Sequence, residues 1–132
     1  MRRMMVVSVV LAVGWLVAAV VWAGSPHFVE CRATTSGNVL SVDGKEAGLG
    51  SETQVHIEVT AIAECINRGN HNPSASNKTT VAAEGDFPVQ NGKALFSFDI
   101  EAQFQPSCSP PMTVEFSAIV VCDTEHNVCC SL

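Results

Sequence analysis

The chain has 132 residues, 47% of them hydrophobic and 15% charged, and a formal net charge of −6 at pH 7. That length suits one domain with a modest core. The acidic balance and few Lys and Arg exclude nucleic acid and an anionic membrane surface as partners, since both need clustered cations.

Residues 1–23 read as a signal peptide. Arg2 and Arg3 give a positive start, Met4 to Val21 is an uncharged apolar run, and Val21-Trp22-Ala23 presents a cleavage site before Gly24-Ser25-Pro26. The rival is an uncleaved anchor, because Met4 to Ala23 is 20 residues, long enough to span a bilayer. The V-x-A site, with no basic residue behind it, favours cleavage. Losing Arg2 and Arg3 leaves five Lys and Arg against 13 Asp and Glu, a formal charge of −8 for residues 24–132. The acidic residues are scattered, as on a solvated surface.

His27 to Thr34 alternates, with Phe28, Glu30 and Arg32 on one face and Val29, Cys31 and Ala33 on the other, and is expected to form a half-buried strand. Ser36-Gly37-Asn38 is a turn, Val39 to Val42 resumes the extended run, and Asp43-Gly44-Lys45 is expected to turn again. After the flexible corner Gly48-Leu49-Gly50 comes the most regular stretch, Gln54 to Cys65. Val55, Ile57, Val59, Ala61, Ala63 and Cys65 share a dry face, opposite His56, Glu58, Thr60 and Glu64.

Asn67 to Lys78 is rich in Asn, with Gly and Pro, and reads as a loop. Asn77-Lys78-Thr79 is an N-glycosylation pattern, relevant only in a eukaryotic host. Thr79 to Ala83 is a short strand, and Asp86 to Gln90 leads into Asn91-Gly92, the strongest signal for a tight hairpin. Ala94, Phe96, Phe98, Ile100, Ala102 and Phe104 then alternate with Ser97, Asp99, Glu101 and Gln103. Pro106 to Pro111 is a rigid loop carrying Cys108. Met112, Val114, Phe116, Ala118, Val120 and Cys122 are expected on one face of a further strand, Asp123 to Asn127 turns, and Val128 to Leu132 is a last short strand.

About seven short strands without a helical period predict an all-β fold, an antiparallel immunoglobulin-like β-sandwich, as a single domain over residues 24–132. Phe96, Phe98, Phe104 and Phe116 would meet the aliphatic face of Gln54–Cys65. Each large apolar side chain buried there contributes about 1.5–3 kcal/mol.

Lys45-Glu46-Ala47-Gly48-Leu49-Gly50, Cys65-Ile66-Asn67, Asp86-Phe87-Pro88-Val89-Gln90-Asn91-Gly92-Lys93-Ala94, and Phe104-Gln105-Pro106 followed by Cys108 carry a resemblance. Over nearly all of residues 24–132 the chain resembles a group of small secreted, mostly actinobacterial proteins of uncharacterised function. The resemblance implies a secreted β-rich domain and no activity. Cys122, Cys129 and Cys130 depart from the group's pattern.

Six cysteines in an exported chain imply a disulfide framework with 15 formal pairings. Cys65 ends a strand and Cys108 sits in a loop, so their union is favoured. It closes a loop of roughly 44 residues and contributes about 4 kcal/mol in the chain-entropy model. Cys31 needs a partner among Cys122, Cys129 and Cys130. Adjacent Cys129 and Cys130 point apart on a strand, which argues against their joining each other. Cys31 with Cys130 and Cys122 with Cys129 is one arrangement that satisfies this. A zinc site from Cys122, His126, Cys129 and Cys130 has suitable ligand types but lacks paired ligand spacing.

Catalytic motifs are missing. There is no G-x-S-x-G and no H-E-x-x-H. His56 with Glu58 could form an acid–base pair, and Asp99 with Glu101 a carboxylate pair, but both read more simply as wet strand faces. Gly48-Leu49-Gly50 lacks the third glycine and the helix of a phosphate cradle, and no cofactor is expected. Residues 24–132 hold neither Tyr nor Trp, which argues against a tight-binding protein surface.

The expected function is therefore a secreted, disulfide-stabilised module with a non-catalytic structural or interaction role toward a protein or cell-surface partner. Its candidate binding loops contain Asn67, Asn70, His71 and Asn72, and Pro106, Ser107, Ser109 and Pro110. The alternative is a protease-inhibitor-like protein presenting Pro106 to Pro110 on a stapled loop. A small metal-binding or hydrolytic protein ranks third.

Overall fold

The computed structural model describes residues 25–67 and 77–132. The signal-peptide reading of residues 1–23 and the loop residues Asn70, His71 and Asn72 lie outside the described residues.

Seven strands follow in order: β1 (His27–Ser36), β2 (Val39–Ala47), β3 (Gln54–Ile66), β4 (Lys78–Gln90), β5 (Lys93–Glu101), β6 (Thr113–Asp123) and β7 (Val128–Ser131). All ladders are antiparallel. They form one sheet in the order β1-β2-β5-β4-β3-β6-β7. β4 belongs to both layers. It runs along β3 from Lys78 to Pro88, then pairs with β5 only at Val89–Ala94 and Gln90–Lys93. The sheet folds over at that corner, and its edge strands β1 and β7 come together. The result is nearly barrel-shaped, where an immunoglobulin-like sandwich would split the strands between two separate sheets.

The core is built by alternation. Val55, Ile57, Val59, Ala61, Ala63 and Cys65 of β3 are all buried, as are Ala94, Phe96, Phe98 and Ile100 of β5, with Ala102 and Phe104 just beyond. Phe28 and Phe87 meet this face edge-on, Phe28 against Phe96 at 5.7 Å and Phe87 against Phe98 at 5.2 Å between centroids, the geometry favoured by the ring quadrupole. Asn91 and Gly92, with φ of 54° and 73°, turn the β4–β5 hairpin as their left-handed preference dictates.

Three expectations need correction. Asp43-Gly44-Lys45 does not turn. The three residues lie inside β2, paired with Arg32, Cys31 and Glu30, because Phe96 fills the space that a side chain at Gly44 would need. β1 bulges between Phe28 and Glu30, so Phe28 joins Cys31 and Ala33 against the core while Val29 is turned out, 52% exposed. β6 bulges too. Thr60 pairs with Val120 but Ile62 with Ser117, leaving Ala118 and Ile119 together opposite Ala61. Ala118 takes up the extra residue at φ 49°. Beyond it the faces exchange: Ile119, Val121 and Asp123 point inward, and Val120 and Cys122 are only half-buried.

Candidate functional site

The two ends of the barrel differ in chemistry. At one end the β1–β2 turn, the end of β5 and the loop from Ala102 to Met112 surround a cleft of about 760 Å³. Asn38 braces its floor. Its carbonyl accepts from the Ala102 amide at 2.8 Å, and its side-chain amide donates to Ala102 O and Glu101 Oε1, each at 3.2 Å. The Cys65–Cys108 disulfide pins the loop to the end of β3. Ser107, Cys108 and Pro110 line the cleft with Gln103, Gln105 and Met112. Amide, hydroxyl and apolar groups dominate, with one carboxylate and no cationic side chain in the lining, a surface for a neutral polar or extended peptide ligand rather than an anion.

The candidate loop residues fall as follows. Pro106, Ser107, Ser109 and Pro110 are exposed on that loop, and Ser107 and Pro110 face the cleft. Asn67 is exposed just past β3. The cysteines form Cys31–Cys130, Cys65–Cys108 and Cys122–Cys129, and none is free. The thiolates of the Cys122, His126, Cys129 and Cys130 set are thereby consumed. His56 shares the outer face with Glu58, but its Nδ1 bonds Asp86 Oδ1 at 2.8 Å, across to β4. Asp86 first, with Glu84, raises the His56 pKa against a smaller opposing effect of burial. Asp99 accepts from Ser41 Oγ at 2.6 Å, and Glu101 from Asn38, so these carboxylates are tied to neighbouring strands and to the cleft floor.

The opposite end holds a cluster that alternation along any single strand does not bring together. Glu46 and Asp123 are both fully buried. Glu46 follows Leu40, Val42 and Gly44 on the inward face of β2, and the β6 bulge delivers Asp123 to the same side. Asp123 Oδ1 accepts from the backbone amides of Glu125 and His126 at 3.0 and 3.2 Å, organising the β6–β7 turn. Asp123 Oδ2 lies 2.5 Å from His126 Nδ1, and His126 Nε2 lies 2.9 Å from Glu52 Oε1. Neither Glu46 oxygen has an aligned hydrogen-bond partner. Burial first, then the adjoining Asp123, pushes Glu46 up to about 8. Burial alone would raise Asp123. The Glu46 carboxyl and the His126 ring and amide outweigh it and hold Asp123 low. His126 is raised, since Asp123 and Glu52 together outweigh its partial burial. Reading β2 through Gly44 would have placed Glu46 inside; Asp123 had no such signal.

No protein-family model matches the chain, and neither a curated protein nor a solved structure is significantly similar to it. Among the described residues no helix is long and apolar enough to cross a membrane.

Proposed function

We propose that the chain is an exported, non-catalytic recognition module whose contact surface is the cleft beside Pro106 to Pro110. The observation that carries this is the union of cleft and staple. An open cavity of about 760 Å³ is bordered by a loop that the Cys65–Cys108 disulfide holds in place. A loop fixed before binding loses little entropy when it engages a partner. Three disulfides in a small β-rich domain fit an oxidising, extracellular setting. The resemblance to small secreted proteins and the signal-peptide pattern belong to the same proposal, as does the immunoglobulin-like reading of the fold.

The test is capture from culture medium with wild-type protein and with Ser107→Arg, which fills the cleft mouth with a charged side chain. A partner retained by wild type and lost by Ser107→Arg supports the reading. A partner held equally by both places recognition elsewhere and overturns it.

A second reading has its own support. Pro106, Ser107, Ser109 and Pro110 are all exposed around the stapled Cys108, as a protease-directed loop requires. Inhibition across a panel of secreted proteases, abolished by cutting between Ser107 and Ser109, would select it over the first.

A further inference from the structure

We propose that the end of the barrel opposite the cleft binds a divalent cation of the zinc class, held by Glu46, Asp123 and His126, with Glu52 as positioning residue for the histidine. The three ligating residues come from β2, the end of β6 and the β6–β7 turn. One donor atom from each lies within 4.8 Å of the other two. Glu46 is the independent pointer. It is fully buried, both its oxygens lack a partner, and it is directed at Asp123 and His126. Buried polar atoms are almost always satisfied, so an orphan carboxyl aimed into a group of ligand-type side chains marks the place of a further binding group. Among the described residues no Lys or Arg bridges to Glu46 or Asp123.

The histidine is arranged as a ligand. Glu52 holds Nε2 at 2.9 Å, which fixes the ring and leaves Nδ1 turned inward beside Asp123. A carboxylate on the far nitrogen is the usual support of a metal-bound imidazole. The donor set selects the ion. Two carboxylates and one imidazole nitrogen suit zinc, and they are too few oxygens for calcium, which takes six to eight. Three protein ligands leave a fourth position open on the side where His126 and Glu52 reach solvent, their side chains 23% and 40% exposed. His56, Glu58 and Glu84 form another grouping of ligand-type residues, but on an open strand face where His56 is engaged by Asp86. It serves as the internal control.

The rival is proton sharing, in which Glu46 stays protonated, His126 stays cationic and no metal enters. The full chain, oxidised and stripped with chelator, is titrated with zinc chloride at pH 7.5 by calorimetry, with thermal unfolding followed in parallel. We expect one zinc per chain and a rise in Tm. Glu46→Gln and His126→Asn each weaken binding at least about tenfold, Glu52→Gln weakens it about 10–100-fold, and His56→Gln leaves it unchanged. Absence of saturable binding overturns the proposal in favour of proton sharing. Binding that survives Glu46→Gln, or that is lost with His56→Gln, overturns it by placing zinc elsewhere. If Glu46→Gln or His126→Asn fails to fold, Glu52→Gln and Glu125→Gln decide together: zinc weakened by the first and unchanged by the second supports the site, whereas zinc weakened by both places it on the surface grouping of Glu52, Glu125 and His126 and overturns it.

Discussion

Gly44 sits on the inward face of β2 because Phe96 lies directly over it. A Cβ there would stand 2.5 Å from Phe96 Cζ and closer still to the Glu30 carbonyl oxygen. The ring is held by Phe28, Phe87 and Phe98, and the carbonyl belongs to backbone, so neither can retreat cheaply. Gly44→Ala is therefore expected to destabilise the fold by roughly 1–3 kcal/mol, as overpacking does, read as a lower urea midpoint with unchanged slope. On the outer face of the sheet, His56 gives a pH signature. It faces Glu58 from its own strand and Glu84 and Asp86 from β4, and its pKa is raised above the ordinary 6.5. A raised histidine adds stability that is complete below its unfolded pKa and disappears as pH climbs through the higher folded value. His56→Gln should thus lower the unfolding midpoint at pH 5.5 and leave it unaltered at pH 9. An equal loss at both pH values would show that packing, not charge, is what His56 supplies.

At the scale of the strand, one residue decides the chemistry of an entire end of the barrel. Side chains alternate with a period of two, so a single inserted residue exchanges inside and outside for everything that follows. Ala118 is that residue in β6. Downstream of it Asp123 is inside, and Cys122 is half-buried opposite Cys129, where the two form the β6–β7 disulfide. Deleting Ala118 should close the bulge into simple alternation, with Ile119, Val121 and Asp123 still inside and Cys122 still opposite Cys129. Non-reducing peptide mapping of the deletion variant is expected to show the Cys122–Cys129 link retained. Loss of the link would mean that β6 slips in register instead of closing the bulge. The β4–β5 hairpin behaves differently. Asn91-Gly92 sets its register locally, and the Leu49 amide bonds Gly92 O at 3.0 Å, so turn chemistry and tertiary packing agree there.

For the molecule as a whole the decisive act is closure. A seven-strand sheet leaves β1 and β7 with unpaired edges, the part of any β protein open to further pairing. Here the two edges meet and Cys31–Cys130 joins them across a sequence separation of 99. In the chain-entropy model a loop of that length is worth about 4–5 kcal/mol, against about 2–3 kcal/mol for Cys122–Cys129 with its separation of 7. The double variant Cys31→Ala with Cys130→Ala should then lose about twice the stability lost by Cys122→Ala with Cys129→Ala, and it alone should aggregate on warming. Comparison of urea midpoints and light scattering checks both; a reversed order would show that β1 and β7 hold together without the bridge.

The amino-acid sequence by itself determined the strand count, the dry faces of β3 and β5, the tight hairpin at Asn91-Gly92 and the loop identity of Pro106 to Pro111. Each of these rests on local periodicity or on a turn residue's own backbone preference, and neither needs a distant partner. Export and an oxidised cysteine framework were legible as expectations, because they follow from composition. The bulges at Val29 and Ala118, the straight passage of β2 through Gly44, the closure of β1 on β7 and the meeting of Glu46 with Asp123 and His126 were decided only in the tertiary structure. The reason is common to all of them. Which face a residue occupies after a bulge, and whether a glycine turns or runs straight, is set by what packs against it from strands far away in the chain, and alternation read along one strand carries no record of that neighbour.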